Sequence, residues 1–204
     1  MVSVFKAFLL AVFMMAASPG ALAEDVVMSE HTLGKDNAPV KVDEYSSLTC
    51  THCAHFYLHI LPELEKRYVD TGKVRFVMHD FPLNAMSLKA AAVAQCMPKD
   101  IYFPFIKTLF EALEAGKFGG SNSEAVLYQY AALGGLPADK ASACANDVGL
   151  QNTLIAGRTK ASEKYKIEAT PTFIIDDGAE IISGALDTET FAAAFDRQLA
   201  AKKN

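Results

Sequence analysis

Across residues 40–45 apolar and polar positions alternate, with Val40, Val42 and Glu44 on one side and Lys41 and Asp43 on the other. That period of two predicts a β-strand, with a carboxylate on its apolar face. The step then changes. Cys53, Phe56, Tyr57, Ile60, Leu61, Leu64 and Tyr68 recur every three or four residues, which predicts a helix with one buried stripe and Thr49 as its N-cap. Pro62 removes one backbone hydrogen bond and predicts a kink. Thr71-Gly72 closes the helix and residues 74–78, Val-Arg-Phe-Val-Met, predict a second strand. Strand, helix, strand in this order predicts a right-handed βαβ unit with parallel strands.

Residues 84–165 carry no strand pattern. Residues 85–97 and 101–115 have helical spacing, Ser121-x-x-Glu124 resembles a capping box, Pro137 fits the first position of a fourth helix, and residues 150–165 fit a fifth. Residues 85–165 are thus expected to be an inserted helical domain between two parts of an α/β domain, residues 24–84 and 166–204. Tyr102, Phe103, Phe105 and Phe118 are read as its core, a surface for substrate being the alternative. Beyond it, Ala169-Thr170-Pro171-Thr172 leads into a strand at 173–175, a turn at 176–178, a hairpin partner at 179–183 and a closing helix at 188–199. Residues 26–39 are a polar lead-in with a short edge strand at 26–28.

Residues 1–23 have one basic residue, Lys6, an apolar run over 7–17, a Ser18-Pro19-Gly20 break and then Ala21-Leu22-Ala23, a small-x-small cleavage pattern. This predicts a secretory signal peptide and a mature chain starting near Glu24. No later segment approaches the apolar length of a membrane span. Loss of Lys6 makes the mature chain one unit more negative than the −5 of the whole sequence, which does not suggest a nucleic-acid partner. Export places all four cysteines in an oxidising compartment, where thiols pair unless they are catalytic.

The chemistry concentrates in Cys50-Thr51-His52-Cys53. Two thiols three positions apart at a helix start can close and reopen a small disulfide ring. Free N–H groups and the positive end of the helix dipole favour a thiolate at Cys50, and a protonated His52 adds to that effect. Cys50 is therefore the expected nucleophile and the shielded Cys53 the resolving thiol. A low thiolate pKa stabilises the dithiol, so the disulfide becomes oxidising and readily donated. Zinc binding, with His52 or His55 as make-up ligands, and a purely structural disulfide are the rival readings, but no second CxxC supplies further ligands and no metal is expected. Haem attachment needs a histidine where Ala54 stands. Glu44, at the end of the first strand, is either a solvated charge or a buried acid that moves protons or tunes the thiolate. Cys96 and Cys144 are read as a structural disulfide between helices, with a second redox pair as the alternative.

Three stretches together resemble the DsbA-type thioredoxin-fold thiol:disulfide oxidoreductases of the bacterial periplasm. They are Cys50-Thr51-His52-Cys53, the run Thr71-Gly72-Lys73-Val74-Arg75-Phe76 before Asp80-Phe81-Pro82-Leu83, and Ala169-Thr170-Pro171-Thr172-Phe173. The resemblance covers about residues 33–200. It implies an α/β thioredoxin fold, a βαβ and a ββα unit around a mixed sheet, with the helical domain inserted. It also implies that Cys50 exchanges, Cys53 resolves, His52 stabilises the thiolate, Pro171 is cis and packs on the disulfide, Thr170 offers its backbone to an extended substrate, and Glu44 is the family's buried acid. Many oxidising members have Pro-His between the cysteines, and this chain has Thr51-His52.

The expected function is donation of the Cys50–Cys53 disulfide to reduced exported polypeptides in the periplasm. No cofactor is expected beyond the cystine itself, a membrane partner would reoxidise it, and the protein is expected to be a monomer. An isomerase or reductase using the same residues, a non-catalytic peptide-binding chaperone module and a metal-binding protein are the competing functions.

Overall fold

A computed structural model describes residues 30–203. The signal peptide and the strand expected at 26–28 lie outside the described residues. The sheet has five strands: β1 (His31–Leu33), β2 (Val40–Ser46), β3 (Val74–Asp80), β4 (Thr172–Ile175) and β5 (Glu180–Ser183), in the order β1-β3-β2-β4-β5. β2 and β3 are parallel, while β1 joins β3 and β4 joins β2 antiparallel, so the sheet is mixed. β5 completes an antiparallel hairpin with β4. This is the thioredoxin fold.

β2 is central, and both its faces are covered. Val40, Val42 and Glu44 are buried on one side and Asp43 on the other, so the alternation in the sequence does not mark a solvent face. Asp43 is accommodated by Lys41 Nζ at 2.9 Å and His79 Nε2 at 2.7 Å. These partners hold its carboxyl below the usual range despite the opposing effect of burial.

Between β2 and β3 runs one helical rod: α1 (Thr51–His55), a π-helical segment (Phe56–Ile60), α2 (Leu61–Leu64) and a second π segment (Glu65–Val69). The change of register answers the expectation of a kink at Pro62. Ahead of the proline the Leu61 N–H bonds to Phe56 O, one residue further back than in an α-helix. The rod packs on the sheet with α8 (Thr188–Ala201) through Phe56, Phe76, Phe173, Phe191 and Phe195, all buried. Phe56 and Phe173 ring centroids are 4.4 Å apart. Five such rings anchor the rod, and with it the residues at its start.

The long connection from β3 to β4 is helical: α3 (Ala85–Gln95), α4 (Tyr102–Glu114), α5 (Ser123–Leu133), α6 (Ala138–Ala145) and α7 (Val148–Tyr165). Tyr102, Phe105 and Phe118 are in its core, with Phe103 packed at the margin. Cys96, at the end of α3, is disulfide-bonded to Cys144 in α6.

Three helix starts differ from expectation. Cys50, not Thr49, is the N-cap of α1, and the Thr49 hydroxyl instead accepts from Asn84 Nδ2. Asn122, not Ser121, caps α5; Ser123 turns its hydroxyl to Gly120 O and receives Gly119 N–H, while Glu124 pairs with Lys89. Pro137 is the N-cap of α6 and not its first helical residue.

Candidate active site

β2 delivers the chain through Ser46 and Ser47 to Cys50, whose backbone is extended (φ −93°, ψ 120°) before the helix turns in at Thr51. No side chain caps this helix start. Its free N–H groups are therefore available to the Cys50 sulfur. One turn on, Cys53 is fully buried, while Cys50 is half-buried and Thr51 and His52 are exposed. Both cysteines are thiols here, so the structure represents the reduced state.

The two sulfurs occupy opposite electrostatic environments. Cys50 is held down to about 5 by a hydrogen bond from Cys53, the Thr170 hydroxyl and the backbone N–H groups of Cys53 and His52, against the opposing effect of burial. Burial pushes the Cys53 thiol far up, and the neighbouring Cys50 adds to this. A thiolate at neutral pH therefore resides on the accessible sulfur. His52 contributes its main-chain N–H to Cys50, and its side chain is exposed. The hydrogen bond from Cys53 is the largest of these effects, and the free N–H groups of the helix start add to it.

Across from the cysteines, the chain enters β4 through a cis peptide bond between Thr170 and Pro171. Pro171 is buried and its carbonyl accepts from Gly184 N–H at 2.7 Å. The Cys50 thiol donates to the Thr170 carbonyl at 3.4 Å. Residues 120 positions apart in the chain thus meet at the reacting sulfur.

Glu44 is 2% exposed, next to Phe173 of β4 and Met78 of β3 in the sheet register. Its Oε1 has no hydrogen-bond partner, and burial pushes its carboxyl up to about 8, with Ser46 opposing. Of the two readings of Glu44, the structure has the buried acid. Ser46 was not singled out from the sequence. Its hydroxyl is buried and unpaired in the dithiol, yet it lies where it favours the ionised form of both Glu44 and Cys53. Ser47 was also missed; its N–H points at Cys53 Sγ, at 3.5 Å. Two serines directly before the cysteine loop, at the end of a strand, were the available signal.

Two cavities differ in their relation to this chemistry. One of about 410 Å³, lined among others by Tyr45, His79, Asp80, Lys160 and Lys164, includes neither cysteine nor Pro171 in its wall. A more open one of about 550 Å³ begins at Thr49 and Thr51 and is walled by Met86, Leu113 and Phe118. The second gives the cysteine motif an apolar flank. Among the described residues no helix is long and apolar enough to cross a membrane.

Comparison with known proteins agrees with this geometry. The Thioredoxin family model matches residues 27–197. A Rickettsia prowazekii relative named as a protein-disulfide oxidoreductase is 30% identical over 173 residues, 79% of this chain and 63% of that one. The chain therefore spans a little under two thirds of that relative's length. Among solved structures, Wolbachia pipientis alpha-DsbA1 superposes with a TM-score of 0.76 at 30% identity, covering 84% of this chain and 92% of that one. BdbD from Bacillus subtilis shares the fold, with a TM-score of 0.71 at 21% identity over 84% of this chain and 93% of that one. The chain belongs to the thioredoxin family, and within it to the DsbA-type thiol:disulfide oxidoreductases.

Proposed function

We propose that this protein donates the Cys50–Cys53 disulfide to reduced, extended polypeptides after export to the periplasm. The observation that carries the reading is the separation of the two thiols, Cys50 held near 5 and Cys53 raised by burial. A substrate thiolate attacks Cys50 Sγ of the oxidised protein, breaking its bond to Cys53 and leaving Cys53 to take up a proton. The substrate's second thiolate then attacks the substrate sulfur of the mixed disulfide and expels Cys50 as a thiolate. Two substrate thiols become a disulfide, and the protein cystine becomes a dithiol. Cys50 is a good leaving group because its thiolate is already stable at neutral pH.

At neutral pH only the part of the Cys50 shift between about 7 and about 5 counts toward the redox balance. With allowance for solvent screening at a half-buried group, that stabilises the dithiol by roughly 1–3 kcal/mol, or about 20–60 mV toward oxidation. Glu44 is suited to take up and release the proton of Cys53 through the Ser46 hydroxyl. Thr170 offers main-chain hydrogen bonding to an extended substrate segment, and the cavity beside Thr51 receives apolar side chains. No cofactor other than the cystine is required, a membrane partner reoxidises the dithiol, and the protein acts as a monomer.

The test is single-turnover oxidation of a reduced unfolded protein by the stoichiometric disulfide form. Transfer of one disulfide per molecule, abolished in Cys50→Ala, supports donation. Scrambled-substrate repair by the dithiol with no net oxidation by the disulfide would favour the isomerase instead.

A further inference from the structure

The helical rod that carries the cysteines continues into His55 and His59, four residues apart and both exposed, with ring centroids 5.1 Å apart. From the insertion, Glu114 at the end of α4 reaches the same place, its Oε1 2.9 Å from His59 Nε2. One ligand atom from each of the three residues lies within 4.8 Å of the others. We propose that His55, His59 and Glu114 bind one divalent transition-metal ion of the zinc type, linking the cysteine-bearing rod to α4.

Two imidazoles and a carboxylate are a donor set suited to zinc, with water free to complete a tetrahedron at an exposed site. Ligand atoms around zinc are about 3.3 Å apart, given bonds of about 2.0–2.2 Å. His59 Nε2 and Glu114 Oε1 are already within it, at 2.9 Å, and all three side chains are exposed. The backbones beneath them are already fixed: Tyr57 of the rod donates its hydroxyl to Phe103 O of α4 at 3.2 Å, and its ring packs 5.3 Å from that of Phe110. A simple surface ion pair accounts for His59 and Glu114; His55 adds a third ligand atom within 4.8 Å of both. The metal reading weighed at the cysteines drew on His52 or His55 as further ligands; the set here keeps His55, adds His59 one turn on, and gains Glu114 through the packing of α4 against the rod.

The test is calorimetric titration of zinc into the mature protein with Cys50 and Cys53 oxidised to the disulfide, so that thiols do not compete. One ion per chain with micromolar affinity is expected, with a rise in Tm of about 5 °C at saturating zinc. His55→Ala and His59→Ala each weaken binding by about tenfold or more, while Cys50→Ala/Cys53→Ala leaves it intact. Far-ultraviolet circular dichroism confirms that the surface variants fold. No binding by the oxidised protein, or binding unchanged in both histidine variants, overturns the proposal.

Discussion

The Cys50 thiol donates to the Thr170 carbonyl at 3.4 Å, so the reacting sulfur and the residue preceding Pro171 face each other with no side chain between them. The same residue also supplies a hydroxyl that favours the thiolate and has no hydrogen-bond partner in the dithiol. Replacing Thr170 by Val keeps the carbonyl and the shape and removes only that hydroxyl. The Cys50 pKa is expected to rise from about 5 by roughly one unit, as for loss of a hydrogen bond to an ionised group. Ultraviolet thiolate absorbance against pH measures this; an unchanged midpoint means the hydroxyl plays no part.

The depressed Cys50 pKa ties stability to pH in a definite direction. The unfolded thiol titrates near 9 and the folded one near 5. Between these values the unfolded chain holds one proton more, so the reduced protein gains stability as pH rises. The contribution is complete above about 9 and is lost as pH falls through about 5. The oxidised protein lacks this group. Paired denaturant titrations of the two forms should diverge with increasing pH across this window, and parallel curves would contradict the assignment.

Glu44 acts in the opposite sense. Its carboxyl is at about 8 when folded, against 4.5 for the free group, so its favourable contribution is present below about 4.5 and lost as pH rises through about 8. Glu44→Gln removes the cost of burying a charge and should stabilise the protein at pH above about 8 by roughly 1–3 kcal/mol. The variant should also slow attack by Cys53 on a mixed disulfide, because the buried proton acceptor is gone. Stopped-flow release of a thiol leaving group, measured beside thermal melts, separates the two effects.

Cys96 and Cys144 close a loop with a sequence separation of 48 between helices of the insertion. In the chain-entropy picture the Cys96→Ala/Cys144→Ala variant loses roughly 4 kcal/mol. The Cys50 pKa should not change, since neither residue contributes to it. A fall in Tm with an unaltered thiolate titration is the expected pair of results; an altered titration would indicate electrical or structural coupling between the two cysteine pairs.

The parts of this molecule legible in the sequence are those in which one residue type has one main use. Cys50 and Cys53 at a strand-to-helix junction, Pro171 before a strand and the parallel pairing of residues 40–45 with 74–78 belong here, because spacing and periodicity follow from local geometry. β1 was missed, being three residues long with two polar side chains, one of which, His31, is buried against Tyr102. The π segments were missed because a shift of one residue in hydrogen-bond register leaves apolar spacings of three and four intact. The meeting of His55 and His59 with Glu114 depends on contact between the rod and α4, and no local pattern encodes it.

The central claim is that the cystine is an oxidant, and the reduction potential of Cys50–Cys53 tests it most directly. Equilibration of the mature protein with glutathione, in a Cys96→Ala/Cys144→Ala background to isolate the pair, gives that value by thiol alkylation and mass. A potential between about −120 and −180 mV is predicted. A potential near about −270 mV, the range of a reductant, would contradict disulfide donation.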